Sequence, residues 1–386
     1  MKKRIFIIAL FSLVLGIFPQ SDAQMAFSSE EMNSYAGLPL CQPGLFPTQP
    51  DTCLPLGPSS FLMKMASEGI IWPMRDLPAV SPDPALSQLD TPYLVVTKDA
   101  IPLYASMEDT TAAQTLASGM KYLAIQQRVD NDSGVFYQLK TGWWVKAGEA
   151  GASCCIYAGR FQGLTFKQNP TNSFGWIIET AISRTGPGYA FPETSHSMNR
   201  ETVVQIYGTQ EADKTTWYRI NLTEWVERRY IRQLVLHTTP PAGVNNGRWI
   251  EVNLYEQTLS VYENGNLVFA TLIASGMDPF FTRPGLFQIY KKKPLETMSG
   301  AFEADKSDFY YLEDVPWTMY YDEARALHGA YWRAMFGYPQ SHGCVNLSPG
   351  DSHWLYDWAN EGDWVYIWDP SGQTPADPKF YGPGGA

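Results

Sequence analysis

The sequence predicts a mainly β protein in which two small β-barrel modules precede a mixed, β-rich domain with one clear helix. Three observations predict it. From Thr91 onward the chain reads as short runs of β-formers broken by turn residues, clearest at 93–97, 120–125 and 135–139. One stretch recurs without gaps: Phe136-Tyr137-Gln138-Leu139-Lys140-Thr141-Gly142-Trp143-Trp144-Val145 aligns with Trp217-Tyr218-Arg219-Ile220-Asn221-Leu222-Thr223-Glu224-Trp225-Val226, 81 positions later. Further on, two alternating runs, 259–262 and 267–270, flank Asn264-Gly265, and Asn-Gly between such runs is the strongest short-range hairpin signal. A length of 386 residues is too great for one typical domain and calls for two or three.

In chain order, residues 1–23 read as a secretory signal peptide: Lys2, Lys3 and Arg4 give a positive start, 5–18 an apolar run, and Ser21-Asp22-Ala23 the small residues of a cleavage site. The apolar run of 14 residues is short for a membrane span, no cysteine stands near the cleavage point to carry a lipid, and no later segment is apolar enough to cross a bilayer. Residues 24–90 are dense in Pro, Gly and Ser and read as a tether with a short helical candidate at 61–68. The two modules are expected at 91–150 and 151–233, followed by a linker rich in Pro, Asn and Gly. A third domain spans 248–369, opening with alternation at 249–254 and closing with a strand at 365–368. Between these, Ser348 is placed to cap a helix, Pro349 suits its first turn, Asp351 its positive end, and Gly362 its stop. Trp354, Leu355 and Trp358 share one face of it. The tail 370–386 is Pro- and Gly-rich and is expected to be flexible.

Composition bounds the function. At 45% hydrophobic, with 13 Trp and 22 Tyr, the chain can build cores. Its net charge of −11 becomes about −13 once the leader, with three positive and one negative charge, is removed. Such an acidic surface argues against nucleic acid, and Lys291-Lys292-Lys293, its one basic run, reads as a solvated strand end. Of five cysteines, Cys41 and Cys53 are the favoured bridge across the Pro-rich segment. Adjacent Cys154 and Cys155 fit a vicinal bridge or two reduced thiols equally well.

The chemistry concentrates in Ser341-His342-Gly343-Cys344-Val345-Asn346, with His328-Gly329 upstream and His328 16 positions before Cys344. A thiol becomes a strong nucleophile when a nearby imidazole takes its proton. Gly343 leaves room for a backbone N–H to turn toward a reacting carbonyl oxygen.

This signature resembles the active-site motif of the L,D-transpeptidases, the YkuD-type catalytic domain. The resemblance runs over 249–368 and includes the 259–270 hairpin, Ser275-Gly276 and Thr282-Arg283-Pro284-Gly285, where Arg283 and Pro284 depart from the commoner wording. It implies Cys344 as acylated nucleophile, His328 as base, the Gly329 carbonyl as orienter of the imidazole, and the N–H groups of His342, Gly343 and Cys344 as oxyanion hole. His342 also helps position substrate, Ser341 and Asn346 support the motif, and Tyr320 and Trp332 are candidates for the substrate groove. The implied partners are peptidoglycan stem peptides, donor and acceptor, joined in a 3→3 cross-link through a cysteinyl thioester with no metal or organic cofactor, in the periplasm or extracellular wall. Water as acceptor would make the enzyme an L,D-carboxypeptidase. The repeated modules are similar to bacterial SH3-like domains, either spacers or binders of wall glycan or peptide; if the catalytic domain were inert, the chain would be a wall-binding protein.

Rival chemistries fit less well. Papain-like and NlpC/P60-type peptidases place Cys before His, and sortases need an Arg after the nucleophile, where this chain has none beyond Cys344. A zinc site from His328, His342 and Cys344 lacks paired, short-spaced ligands. His196, His237 and His353 read as structural.

Overall fold

The computed structural model describes residues 76–382 apart from 97, 117–118, 157–160 and 302–308. The leader 1–23, the pairing of Cys41 with Cys53 and the helical candidate at 61–68 lie outside the described residues, as do the side chains of Cys154 and Cys155.

Two sheets share the main core. In one, Arg248–Asn253 pairs antiparallel with Thr258–Glu263 and parallel with Trp364–Trp368. Asn266–Leu272 extends it on one side and Gly285–Gln288 on the other. The tight turn expected between Thr258–Glu263 and Asn266–Leu272 is present: Asn264 and Gly265 both have positive φ, 50° and 78°, as a two-residue hairpin with the strands' own twist requires. The other sheet carries Val345–Leu347, Arg325–Gly329 and the long strand Tyr310–Asp322, which pairs with Lys291–Gly300. Strand alternation turns Ile250, Val252, Leu259 and Val261 from the first sheet toward Met319, Leu327, Val345 and Leu347 from the second, all fully buried. Each such side chain contributes about 1.5–3 kcal/mol relative to exposure.

The helix Pro349–Trp358 starts as its sequence dictates, with the Ser348 hydroxyl accepting from the Asp351 N–H at 3.2 Å. Leu355 enters the shared core, Trp354 stacks on Phe269 at 4.2 Å, and Trp358 lies under the Arg248 guanidinium. The stop differs from expectation. The helix ends at Trp358 with Ala359 extended, and Gly362, at φ +95°, turns the chain into the last strand.

The internal repeat has a structural counterpart. Tyr137 pairs with Val145 and Arg128 in the first copy, and Tyr218 pairs with Val226 and Thr209 in the second, so both meanders keep one register. Closed barrels, however, are not found among the described residues, and the sheets cross the expected boundaries. Met120–Asn131 runs past its own hairpin to pair in parallel with Tyr310–Asp322, at Tyr310↔Met120 and Leu312↔Tyr122. Leu164–Phe166 adds to Asn266–Leu272, and Ala79–Val80, within the expected tether, adds to Leu164–Phe166. The tail, expected to be flexible from Pro370, makes specific contacts as far as Gly382, whose carbonyl accepts from Arg325 Nη2 at 2.9 Å. Local turn and strand signals set where strands occur, whereas these pairings join segments far apart in sequence. All described residues lie in one compact unit, and no helix among them is long and apolar enough to cross a membrane.

Candidate active site

The parallel pair of Arg325–Gly329 with Val345–Leu347 sets the site. Leu327 lies opposite Val345 and His328 opposite Asn346. Since side chains alternate, burying Leu327, Val345 and Leu347 in the core sends His328, Asn346 and Cys344 to the other face. All three line one cleft of about 450 Å³.

The turn before Cys344 is held by its own side chains. Gly343 has φ +117°, a conformation that a Cβ would strain. Ser341 Oγ accepts from the Gly343 N–H at 3.2 Å and donates to the Cys344 carbonyl at 2.5 Å. Thr282 Oγ1 donates to the Gly343 carbonyl at 2.9 Å, and the Asn346 backbone exchanges two hydrogen bonds of 2.9 Å with Ala274. The Gly343 N–H, expected in the oxyanion hole, thus has Ser341 Oγ as its partner inside the turn.

His328 is 2% exposed, and its Nδ1–H donates to the Gly329 carbonyl at 3.3 Å, leaving Nε2 as the acceptor. Burial pushes its imidazole down to about 4; the Gly329 carbonyl opposes that shift and the Arg333 charge adds to it. Cys344 is 5% exposed, and burial pushes its thiol up to about 11, against the opposing effects of the Ala326 backbone and the Arg325 charge. A long contact of 3.9 Å joins Sγ to the Ala324 carbonyl. Burial thus favours the uncharged form of both groups, the neutral thiol and the neutral imidazole.

The other expected residues divide. His342 lines the cleft, its ring stacked on Tyr310 at 5.5 Å and tilted against Phe280 at 5.0 Å. Trp332 lines it too, 5.7 Å from the His328 ring. Tyr320 is not among the lining residues; its hydroxyl donates to Glu296 at 3.3 Å. The remaining histidines sit outside the cleft: His196 on Glu224 at 2.6 Å, His237 on Glu251 at 2.5 Å, His353 stacked on Trp317. No group of three or more His, Cys, Asp or Glu is placed to hold a metal ion among the described residues.

Sequence reasoning missed several residues. Met120 and Tyr122, from the expected first module, form part of the cleft wall. Only the pairing of their strand with Tyr310–Asp322 brings them there, and nothing local announces it. Arg325, buried beside the Gly343 turn, pairs with Asp322 at 2.9 Å, and Asp322 also binds Arg283, which explains that arginine's presence. Arg333 also lines the cleft, and its position directly after Trp332 was the available signal.

Residues 247–367 match the family model of the L,D-transpeptidase catalytic domain, YkuD. Among solved structures, the chain is similar to the L,D-transpeptidase of Stackebrandtia nassauensis, at 29% identity over 32% of this chain and 57% of that one, with a TM-score of 0.27. A mutant of the Enterococcus faecium L,D-transpeptidase is 25% identical over 32% of this chain and 50% of that one, with a TM-score of 0.29. The L,D-transpeptidase of Mycobacterium smegmatis is 17% identical over 54% of this chain and 90% of that one, with a TM-score of 0.31. The match thus spans little more than half of the first two structures' length. No curated protein matches the chain.

Proposed function

We propose that this protein is an exported peptidoglycan L,D-transpeptidase that forms 3→3 cross-links through a thioester on Cys344. The observation that carries this reading is the placement of His328 and Cys344 in one cleft, with the imidazole held by the Gly329 carbonyl so that Nε2 is free to take a proton.

In the first step Cys344 Sγ attacks the carbonyl between the third residue of a stem peptide and its terminal D-Ala, while the thiol proton passes to His328 Nε2. The N–H groups of His342 and Cys344 stabilise the oxyanion. Collapse breaks the amide, and His328 returns the proton to the departing D-Ala amine. A side-chain amine of a second stem then attacks the thioester and gives its proton to His328; collapse breaks the C–S bond, and the departing Cys344 sulfur takes that proton back from His328. Since burial favours the neutral thiol and the neutral imidazole, proton transfer accompanies attack and does not precede it.

The repeated segments 91–150 and 151–233, on this reading, are SH3-like elements beside the wall substrate, and the leader 1–23 delivers the chain to it. The test is incubation of the mature protein with tetrapeptide stems and measurement of intact mass. An acyl adduct on the wild type, none on Cys344→Ala, and indifference to EDTA are expected. An adduct that persists in Cys344→Ala overturns the nucleophile, and products cut only by water make the protein an L,D-carboxypeptidase.

A further inference from the structure

We propose that Arg333 forms a carboxylate-binding subsite in the cleft and reads the terminal carboxylate of the donor peptide's leaving residue. This inference rests on the acyl-transfer reading above and adds to it the residue that selects a donor by its C-terminus.

The domain from Trp249 onward, with Arg248 at its edge, holds four arginines, and three of them have a carboxylate partner. Arg248 pairs with Asp363 and Glu263, and Arg283 and Arg325 both pair with Asp322. Arg333 differs. Its Nη1 donates to Gln340 Oε1 at 3.0 Å and its Nη2 to the Gln340 backbone carbonyl, both neutral acceptors, and no carboxylate is paired with it among the described residues. Yet it is half-buried and lines the cleft that holds His328 and Cys344. A guanidinium partly withdrawn from water whose partners among the described residues are all neutral is costly to keep. A planar fork already oriented by Gln340 matches a carboxylate better than any other common group.

Position selects which carboxylate. The departing amine must reach His328 Nε2, and in a single leaving residue the carboxylate lies one carbon beyond that amine. Arg333 and His328 line the same cleft, with Trp332, which lies between them in the chain, also in its wall, and after burial the Arg333 charge adds to the lowering of that imidazole's proton affinity. A donor ending in one residue brings its carboxylate to the guanidinium, whereas a blocked or longer end does not.

The test uses the full mature chain and two tetrapeptide donors, identical except that one ends in a free carboxylate and the other in a carboxamide. Adduct formation is followed by intact mass. The wild type is expected to react about tenfold or more faster with the free acid. Arg333→Gln is expected to lose that preference by slowing on the acid alone, and Arg333→Lys to keep part of it. Equal wild-type rates on the two donors overturn the proposal even if the variants fail to fold. Equal slowing of both donors in Arg333→Gln overturns it as well, since that is the result of an arginine that only fastens the loop through Gln340. A wild type acylated by neither donor strikes the acyl-transfer reading itself, a different outcome from either.

Discussion

Burial drives the two central groups apart in proton affinity, the Cys344 thiol upward and the His328 imidazole downward. An isolated Cys–His pair at neutral pH is read as thiolate and imidazolium, but a dry cleft penalises both charged forms. The consequence is measurable. His328 stays neutral, and so able to accept a proton, well below its ordinary 6.5, and the acid limb of kcat/KM for stem acylation is expected at about 4. An acid limb at the ordinary histidine value would show that the imidazole is hydrated in the working enzyme. Most of the candidate residues were legible because identity and spacing along one short stretch suffice to name them. Tyr320 carries no such signal, because an aromatic on a strand can face either side; its hydroxyl donates to Glu296 at 3.3 Å.

The helix Pro349–Trp358 shows how far an element can be read before its surroundings intervene. Ser348, Pro349 and Asp351 stand where capping rules put them, and the cap hydrogen bond forms. Asp351 does more than complement the helix end. Its carboxylate also accepts from the Gly163 N–H at 2.7 Å and Thr271 Oγ1 at 2.5 Å, and tethers the helix to two distant segments. Complete burial pushes this carboxyl up to about 7, against the opposing effect of those bonds. The folded protein thus holds a proton that the unfolded chain, with an ordinary value of 3.8, gives up earlier. That contribution to stability is full below the unfolded value and is lost as pH rises through about 7. Urea unfolding at about pH 5 and about pH 8 should therefore show wild type losing stability across the interval and Asp351→Asn losing much less. A parallel loss in the variant would place the cause elsewhere.

The expected first module and the domain at 248–369 are joined by direct contacts, and the cleft wall depends on them. Tyr93 stacks on Tyr331 with ring centroids 3.5 Å apart, and its hydroxyl donates to the Asp314 carbonyl at 2.7 Å. Glu313 accepts from the Ala124 N–H at 2.7 Å. Tyr331 is the neighbour of Trp332 and Arg333, so the module buttresses the loop that lines the cleft. Tyr93→Ala is expected to cost about 3–5 kcal/mol of stability, as deletion of a buried ring does, and to raise KM for the donor more than it lowers kcat. An unchanged KM in a folded variant would mean that the loop holds its place without the stack.

The amino-acid order alone determined the β-rich class, the register-matched repeat, the Asn264-Gly265 hairpin, the helix start at Ser348 and the pairing of His328 with Cys344 as candidates. Each of these rests on residues within a few positions of one another, where propensity, turn geometry and motif spacing act. The joining of Met120–Asn131 to Tyr310–Asp322, the docking of Tyr381–Gly382 on Arg325, the occupation of the Gly343 N–H and the holding of Arg333 by Gln340 came only with the folded chain. They depend on which distant surfaces meet and on how much water those meetings expel, quantities that no local pattern carries.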